Sequence, residues 1–347
     1  MLRILYAGSP APAATTLRLL LDGSQAQDAG ASGEALQGQK GGENCSQAQK
    51  GGRSYQIAGV LTNPPSAKGR HKELVPTDVG ALAAERGIPV FCPQKLDAAA
   101  REQIAAQGFD ALICFAYGKI FGPKFLSLFK AGGVNVHPSL LPKYRGATPV
   151  PAAILNCDGQ TGVTVQTLAL GMDEGEILAQ EKIALDGTET TDSLLDKSAQ
   201  IAANLLEGLL EKTAGAGSFP KGKAQEGEPS YTKTISKDDA LINWNDSAVK
   251  IAAAIRAYTS EPGAWTRIGA ESGETLKILK AAPLGFENDF ASLPAGTVAA
   301  FDKKRGILVK CGDGLLCVTE LQRQQKKAMG YKDFMNGARD FVGTRLF

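Results

Sequence analysis

Metal-binding residues are scarce in this chain. Its 347 residues include two histidines, and its six cysteines form no C-x-x-C pair. No histidine stands at zinc-ligand spacing, so the sequence excludes a zinc site of the usual kind, and we expect no metal. Scattered cysteines of this sort are predicted to be reduced thiols.

Long apolar runs are also missing. No segment approaches the roughly 18 uninterrupted apolar residues that a membrane span needs. The opening MLRILYAGSP contains too short an apolar segment for a secretory signal. We therefore expect a cytoplasmic protein with no membrane partner, and its apolar fraction of 43% suits a chain that buries a core.

A dinucleotide-binding motif is absent as well. YAGSPAPAA, which follows the first predicted strand, lacks G-x-G-x-x-G, and the second predicted strand, YQIAGVLT, does not end in an acidic residue. The glycine-rich turn and the acidic residue are the two features that bind the pyrophosphate and the ribose of a dinucleotide. The sequence thus disfavours a dinucleotide-dependent oxidoreductase.

Charge is nearly balanced overall but is uneven along the chain. Residues 1–230 hold 21 Lys and Arg against 23 Asp and Glu, whereas residues 231–347 hold 17 against 13. The C-terminal end is therefore basic, which is compatible with a nucleic-acid partner.

Short apolar segments alternate with helical patterns through the first half of the chain. LRILYAG, YQIAGVLTN, PVFC, FDALICFAYG and GGVNVH read as strands, and amphipathic helices separate several of them. This rhythm predicts an α/β domain with a doubly wound parallel sheet. TGVTVQTLAL and EILAQEKIAL read as two further strands, and leucines at helical intervals predict a helix over 191–213.

Composition divides the rest of the chain. Residues 213–230 are rich in Gly, Pro, Lys and Glu and read as a linker, so 1–212 and 231–347 are the predicted domains. The second contains about five short strands and an Asp-Gly hairpin signal, which indicate a small antiparallel barrel. Residues 24–52, rich in Gly, Gln, Ala and Ser, are predicted to be a mobile surface insertion.

One histidine follows a predicted strand in GGVNVHPSLLPKYRGATPV. Asn135 and His137 stand two apart, so a strand places both side chains on one face, near the edge where doubly wound sheets bind ligands. The pair could equally be a satisfied core histidine beside a structural asparagine. Nothing in the spacing shows that Asp173, in the Gly-bounded turn ALGMDEGEIL, returns to His137.

The segments NVHPSLLPKYRGATPV and TGVTVQTLALGMDEGEIL together closely resemble the formyltransferase family that uses 10-formyltetrahydrofolate. Further likeness in LRILYAGSP, ALICFAYGKI and AYTSEPGAW points to its tRNA-dependent members. The resemblance implies a Rossmann-like formyltransferase domain, then an OB-like tRNA-binding domain. It further implies formyl transfer to the amino group of methionine on initiator tRNA, by a protein expected to be a monomer.

The resemblance also implies roles for individual residues. Asn135, His137 and Asp173 match the catalytic positions, where Asn135 would donate to the developing oxyanion and Asp173 would orient His137 and favour its charged form. Which group is the formal base stays open, and a water held by Asp173 is an alternative. Folate contacts would come from Phe115, Tyr117, Ser139, Leu140, Leu141 and Pro142.

Contacts with tRNA are implied for two basic groups. One is the loop NPPSAKGRHKELVP, and the other is the C-terminal domain. The residues are Lys68, Arg70, Lys72, Lys303, Lys304, Arg305, Lys326 and Lys327. An ordinary solvated loop is the alternative for the first group.

Some positions depart from the family pattern. An arginine that the family often carries near Ala152 or Ala153 is absent, and the basic loop has one positive charge fewer than is usual. Family members acting on glycinamide ribonucleotide or an amino sugar lack the basic loop and this type of C-terminal domain, which disfavours them. A non-catalytic RNA-binding protein is disfavoured because Asn135, His137 and Asp173 are all present.

Overall fold

The computed structural model describes residues 1–23, 53–68, 73–259, 261–285 and 288–347. The predicted insertion 24–52 and the predicted tRNA contacts Arg70 and Lys72 lie outside the described residues. The chain forms two compact units. Unit one comprises Met1–Val136 and Ala199–Gly222, and unit two comprises His137–Ser198 and Lys223–Phe347.

Unit one is built on a parallel sheet. Its strands run in the order β7-β6-β1-β2-β5, and every neighbouring pair is parallel. The chain moves outward from β1 to one edge and then crosses to build the other side, which is the reversal of a doubly wound sheet. This confirms the predicted arrangement. The strands of this unit are β1 Leu2–Gly8, β2 Tyr55–Leu61, β3 Ser66–Lys68, β4 Glu73–Val75, β5 Val90–Phe91, β6 Ala111–Phe115 and β7 Gly132–His137, whose last residue opens unit two.

The central strands owe their place to continuous apolar sequence. All five residues of β6 are buried, as are all those of β1 except Arg3. A strand that is covered on both faces buries side chains on both, so its sequence is a nearly unbroken apolar run. At the end of β1, a Cβ on Gly8 would lie 2.8 Å from the carbonyl oxygen of Phe115, so only glycine fits there.

The helices of unit one connect these strands. Thr77 and Asp97 cap α2 and α3 by accepting a hydrogen bond from the third following backbone N–H, as their residue types predict. Pro10 precedes α1, and Gly23 ends it with φ of +89°. These helices are α1 Ala11–Asp22, α2 Asp78–Glu85, α3 Ala98–Ala105 and α4 Pro123–Leu126.

Unit two begins with the elements that carry the candidate site. They are β8 Arg145–Gly146, α5 Pro149–Leu155, β9 Gln160–Thr167, β10 Ile177–Ala184 and α6 Thr191–Ala216. Strands β9 and β10 pair antiparallel. Helix α6 buries Leu194, Ile201, Leu206 and Leu209, as its leucine pattern predicts, and continues into unit one.

The predicted linker overlaps the end of helix α6. Helix α6 extends to Ala216, so the first residues of segment 213–230 are helical. The Thr213 hydroxyl donates to the carbonyl of Leu209, and Ala214 and Ala216 are good helix formers. The domain limits 1–212 and 231–347 stay predictions.

The C-terminal part of unit two is an antiparallel sheet in the order β12-β13-β16-β15-β14. The last residues of the chain bond to both edges of this sheet. Phe347 exchanges two backbone hydrogen bonds with Arg267 of β12, and the Leu346 N–H donates to the carbonyl of Gly296, just before β14. Backbone hydrogen bonds thus continue around the sheet. The elements are β11 Tyr231–Thr232, α7 Ala248–Ala257, β12 Trp265–Arg267, β13 Thr275–Leu284, β14 Val298–Asp302, β15 Gly306–Lys310, β16 Leu315–Arg323, β17 Met329–Gly330 and α8 Tyr331–Asn336.

This sheet encloses its own apolar core around Trp244, Trp265 and Phe334. The predicted Asp-Gly hairpin lies between β15 and β16, where Gly314 has φ of +76°. Cys92, Cys157, Cys311 and Cys317 are free thiols. In the part of the chain that the structure describes, no helix is both long and apolar enough to cross a membrane.

Candidate active site

His137 is the last residue of β7, and its imidazole is almost fully buried, with 4% exposure. Its Nε2 lies 2.8 Å from the carbonyl oxygen of Tyr144. A carbonyl only accepts, so Nε2 carries the proton in this contact. In a neutral ring the other nitrogen, Nδ1, is then an acceptor.

Asp173 lies against that second nitrogen. Its Oδ2 is 3.5 Å from His137 Nδ1 and also accepts a hydrogen bond of 2.8 Å from the backbone N–H of Gly146. Its Oδ1 accepts from the side-chain amide of Gln166 at 2.9 Å. Both carboxylate oxygens are thereby held in place, and residues 36 positions apart in the sequence meet.

Burial and its two polar partners act on the protonation of His137 in opposite directions. Burial lowers the pKa of His137 from 6.5, and this effect outweighs the Asp173 carboxylate and the Tyr144 carbonyl, which both raise it. Asp173 thus favours the charged form of His137, as the resemblance implies, but burial has the larger effect. Removing the ring from water penalises the imidazolium more than one carboxylate at 3.5 Å compensates.

Asn135 precedes His137 by two residues on β7 and is half-buried. Alternate residues of a strand point to the same face, so the side chains of Asn135 and His137 share one face. Asn135 belongs to unit one and His137 opens unit two.

Several residues that contact the pair were not found from the sequence. Gln166 and Gln225 bond to each other, and Gln225 Nε2 also donates to the backbone carbonyls of Asp173 and Gly175, each at 2.8 Å. A glutamine inside the apolar strand GVTVQT was a usable signal for Gln166, which is 2% exposed. Gln225 gives no such signal, because it lies in a polar segment.

The predicted folate contacts are mostly buried. In unit two, Ser139 is fully buried and its hydroxyl donates to the carbonyl of Lys143, while the carbonyl of Ser139 accepts from Thr164. Leu141 and Pro142 are buried, and Leu140 is half-buried. The hydroxyl and carbonyl of Ser139 are thus satisfied within the protein, and the side chains that follow them are apolar.

In unit one, Phe115 and Tyr117 are also buried, at 2% and 1% exposure. Ala116 between them is exposed and has φ of +52°. Backbone at residue 116, rather than the two aromatic side chains, is therefore what this stretch presents at the surface.

The predicted tRNA contacts fall into separate places. Lys68 ends β3 in unit one. In unit two, Lys303, Lys304 and Arg305 are exposed in the turn between β14 and β15, and Lys326 and Lys327 are exposed in the turn before β17. Arg305 pairs with Asp302 at 2.6 Å, and hydrogen bonds from Arg305 lead the effects that lower the pKa of Asp302 to about 2. Its charge is therefore partly compensated.

The donor set gives no sign of a metal centre. Over the described ranges, with their gaps at 24–52, 69–72, 260 and 286–287, no three His, Cys, Asp or Glu side chains are grouped to hold an ion. The chemistry of the site is that of amide, imidazole and carboxylate groups.

Comparison with known families places both parts of the chain. Residues 31–209 match the family described as formyl transferase, and residues 234–339 match the formyl transferase C-terminal domain. The chain is 42% identical over 302 residues to the methionyl-tRNA formyltransferase of Treponema pallidum, covering 84% of this chain and 92% of that protein. It is 38% identical over 294 residues to that of Dictyoglomus thermophilum, covering 84% and 92%.

Solved structures share the fold at low sequence identity. The methionyl-tRNA formyltransferase of Clostridium thermocellum has a TM-score of 0.53 at 14% identity, covering 81% of this chain and 93% of that one. HypX from Aquifex aeolicus, in complex with tetrahydrofolic acid, has a TM-score of 0.54 at 17% identity. The match covers 76% of this chain but 45% of HypX, so this chain spans less than half the length of HypX. The chain therefore belongs to the formyl transferase family, among the methionyl-tRNA formyltransferases.

Proposed function

We propose that this chain transfers the formyl group of 10-formyltetrahydrofolate to the amino group of methionine on initiator tRNA, with Asn135, His137 and Asp173 as the catalytic residues. The observation that carries the proposal is the approach of His137 Nδ1 to the Asp173 carboxylate, at 3.5 Å. It places a proton acceptor beside a fixed negative charge at the end of a sheet strand.

His137 acts as the base in this proposal. Formation of the new C–N bond releases a proton from the methionine amine. With Nε2–H committed to Tyr144, Nδ1 is free to accept that proton. Asp173 then stabilises the imidazolium, and the same proton is available to the nitrogen that leaves the formyl carbon. Burial keeps the ring neutral beforehand and so ready to accept.

Asn135 is assigned to the formyl oxygen, which becomes negative as the amine attacks. A neutral amide donor suits that oxygen because it stabilises the negative charge without competing for the proton. Loss of one such donor costs about 10² to 10³ in rate in other enzymes.

The folate is assigned to Phe115, Tyr117, Ser139, Leu140, Leu141 and Pro142. When bound, 10-formyltetrahydrofolate supplies the one-carbon unit. The apolar side chains of the segment Ser139–Pro142 suit a flat ring. No metal is required in this assignment.

The tRNA is assigned to the basic loop and to the C-terminal domain. Lys68, Arg70 and Lys72 would contact the acceptor end, and Lys303, Lys304, Arg305, Lys326 and Lys327 would contact phosphates. Exposure of the last five supports this assignment. We also assign the domains to 1–212 and 231–347 with a linker at 213–230, the second domain as OB-like, and the protein as a cytoplasmic monomer.

An assay of formyl incorporation tests the function. Purified protein with 10-formyltetrahydrofolate is expected to formylate charged initiator tRNA, and to leave glycinamide ribonucleotide unmodified as the control acceptor. Formylation of the ribonucleotide, with none of the tRNA, would overturn the proposal.

A further inference from the structure

The segment that precedes the C-terminal sheet bonds to Asp173 directly and to His137 through Tyr144. We define this return segment as residues 223–232, all of which lie in unit two. Lys223 exchanges two backbone hydrogen bonds with Ile177, the first residue of β10. Further along, Tyr231 and Thr232 pair in parallel with Arg145 and Gly146. The return segment is thus fixed at both ends.

Gln225 lies between these two anchors. Its hydrogen-bond partners determine which way its side-chain amide is oriented. Its Oε1 accepts from Nε and from a terminal nitrogen of Arg145, at 3.2 and 2.8 Å. Because a guanidinium only donates, the oxygen of the amide must face Arg145. The amide nitrogen then faces the carbonyls of Asp173 and Gly175, each 2.8 Å away.

These two carbonyls flank the turn that presents the Asp173 carboxylate. Asp173 has φ of +54°, an unusual conformation for a residue with a side chain, so the turn needs support from outside. Gln225 also donates to Gln166 Oε1 at 3.2 Å, while the amide of Gln166 donates to Asp173 Oδ1. Gln225 therefore bonds the backbone of the turn directly and its carboxylate through Gln166.

The other end of the return segment supports His137. The Ser230 hydroxyl accepts from the backbone N–H of Tyr144, whose carbonyl accepts from His137. The carbonyl of Ser230 accepts from the N–H of Arg145, next to the Gly146 N–H that donates to Asp173. One short segment thereby orders the backbone groups on both sides of the pair.

We propose that Gln225 is a positioning residue that holds Asp173 against His137, so that the return segment completes the catalytic site. The inference rests on the proposed function and adds a residue from outside the formyl transferase match at 31–209. It makes docking of the return segment a condition for turnover.

The test replaces Gln225 by Glu. Glutamate keeps an oxygen for Arg145 but puts a second oxygen where the amide nitrogen faced three acceptors. The expected result is a kcat on methionyl-tRNA lower by about 10- to 100-fold, with KM for tRNA and for folate within about twofold of wild type. Glu226→Gln changes the neighbouring exposed side chain and is expected to match wild type.

A second readout separates positioning from a general structural role. The ring of His137 is followed by NMR through a pH titration in a His71→Gln background, where it is the sole histidine. Gln225→Met, which is of similar length and adds no charge, is expected to lower the titration midpoint of His137, because Asp173 no longer raises it from a fixed place. Gln225→Met also lacks a donor, so it carries the kinetic measurement as well if the glutamate variant unfolds.

The outcomes are distinguishable. If wild type formylates methionyl-tRNA while Gln225→Glu and Gln225→Met keep wild-type kcat, and Gln225→Met leaves the His137 midpoint unchanged, the positioning role is wrong. If wild type itself does not formylate methionyl-tRNA, the proposed function fails instead. Lower kcat with an unchanged midpoint would also count against positioning.

Discussion

Two opposing effects act on the imidazole of His137. Burial disfavours its charge, and the Asp173 carboxylate favours it. Burial is the larger, so the ring is neutral near pH 7, with Nε2–H bonded to Tyr144 and Nδ1 facing the carboxylate. A neutral ring suits a base, and the nearby carboxylate lowers the cost of the charged form once the proton arrives.

The pH dependence of the ring follows from this balance. Its midpoint by NMR is expected below 6.5, and lower again in Asp173→Asn, which removes the charge that raises it. Between the folded midpoint and about 6.5 the unfolded chain binds more protons than the folded one, so stability falls as pH drops through that window. A wild-type midpoint above 6.5 would contradict this account of the site.

The turn between β9 and β10 sets the position of Asp173. Thr167 and Glu176 close it with a backbone hydrogen bond, and Gly175 passes so near Thr167 that an added Cβ would collide with the Thr167 carbonyl oxygen. Since the obstacle is backbone, it cannot move aside as a flexible side chain could. Glycine at 175 is thus a requirement of the turn.

Substituting this glycine gives a prediction at the scale of the element. Gly175→Ala is expected to lower the free energy of unfolding by about 1–3 kcal/mol, measured by urea denaturation. Gly208, exposed on α6 with open space around it, is the matched control. Gly208→Ala is expected to stabilise by about 0.5–1 kcal/mol, since alanine favours helix. A neutral Gly175→Ala would show that the turn adapts.

The elements differ in how far the sequence predicts them. β1 and β6 were predictable because their buried sequences are almost entirely apolar, and the Asp-Gly signal located the β15–β16 hairpin. β7 was predictable from Val134 and Val136, the β-branched residues at its centre. The short pairs β3–β4 and β8–β11 were not, because two or three residues carry no periodicity.

The candidate site was predictable only in part. Asn135 and His137 follow from a strand and its end, whereas the return of Asp173 came from resemblance alone. Gln225 could not be found from local pattern, because its partners Arg145 and Asp173 lie 80 and 52 positions away. Contacts at such separations are set by tertiary packing.

At the scale of the whole molecule, the two family matches separate an N-terminal part from a basic C-terminal part. The family matches fall on 31–209 and 234–339, and the excess of positive charge lies beyond residue 230. Such a division suits a substrate whose reactive group is small and whose body is a long polyanion.

Salt dependence tests that division. The double variant Lys303→Gln, Lys304→Gln is expected to weaken binding of methionyl-tRNA. The slope of log affinity against log salt concentration should become shallower by about one for each phosphate that the lysines no longer neutralise. The KM for folate should not change. Lys212→Gln, exposed on α6, is the control. Equal effects of the double variant and the control would argue against a role in tRNA binding for these lysines.

The most direct test of the catalytic claim is single-turnover formylation of charged initiator tRNA by His137→Ala and Asp173→Ala. Each variant is expected to react about 10² to 10⁴ times more slowly than wild type while its circular dichroism is unchanged. A rate close to that of wild type in either folded variant would contradict the account.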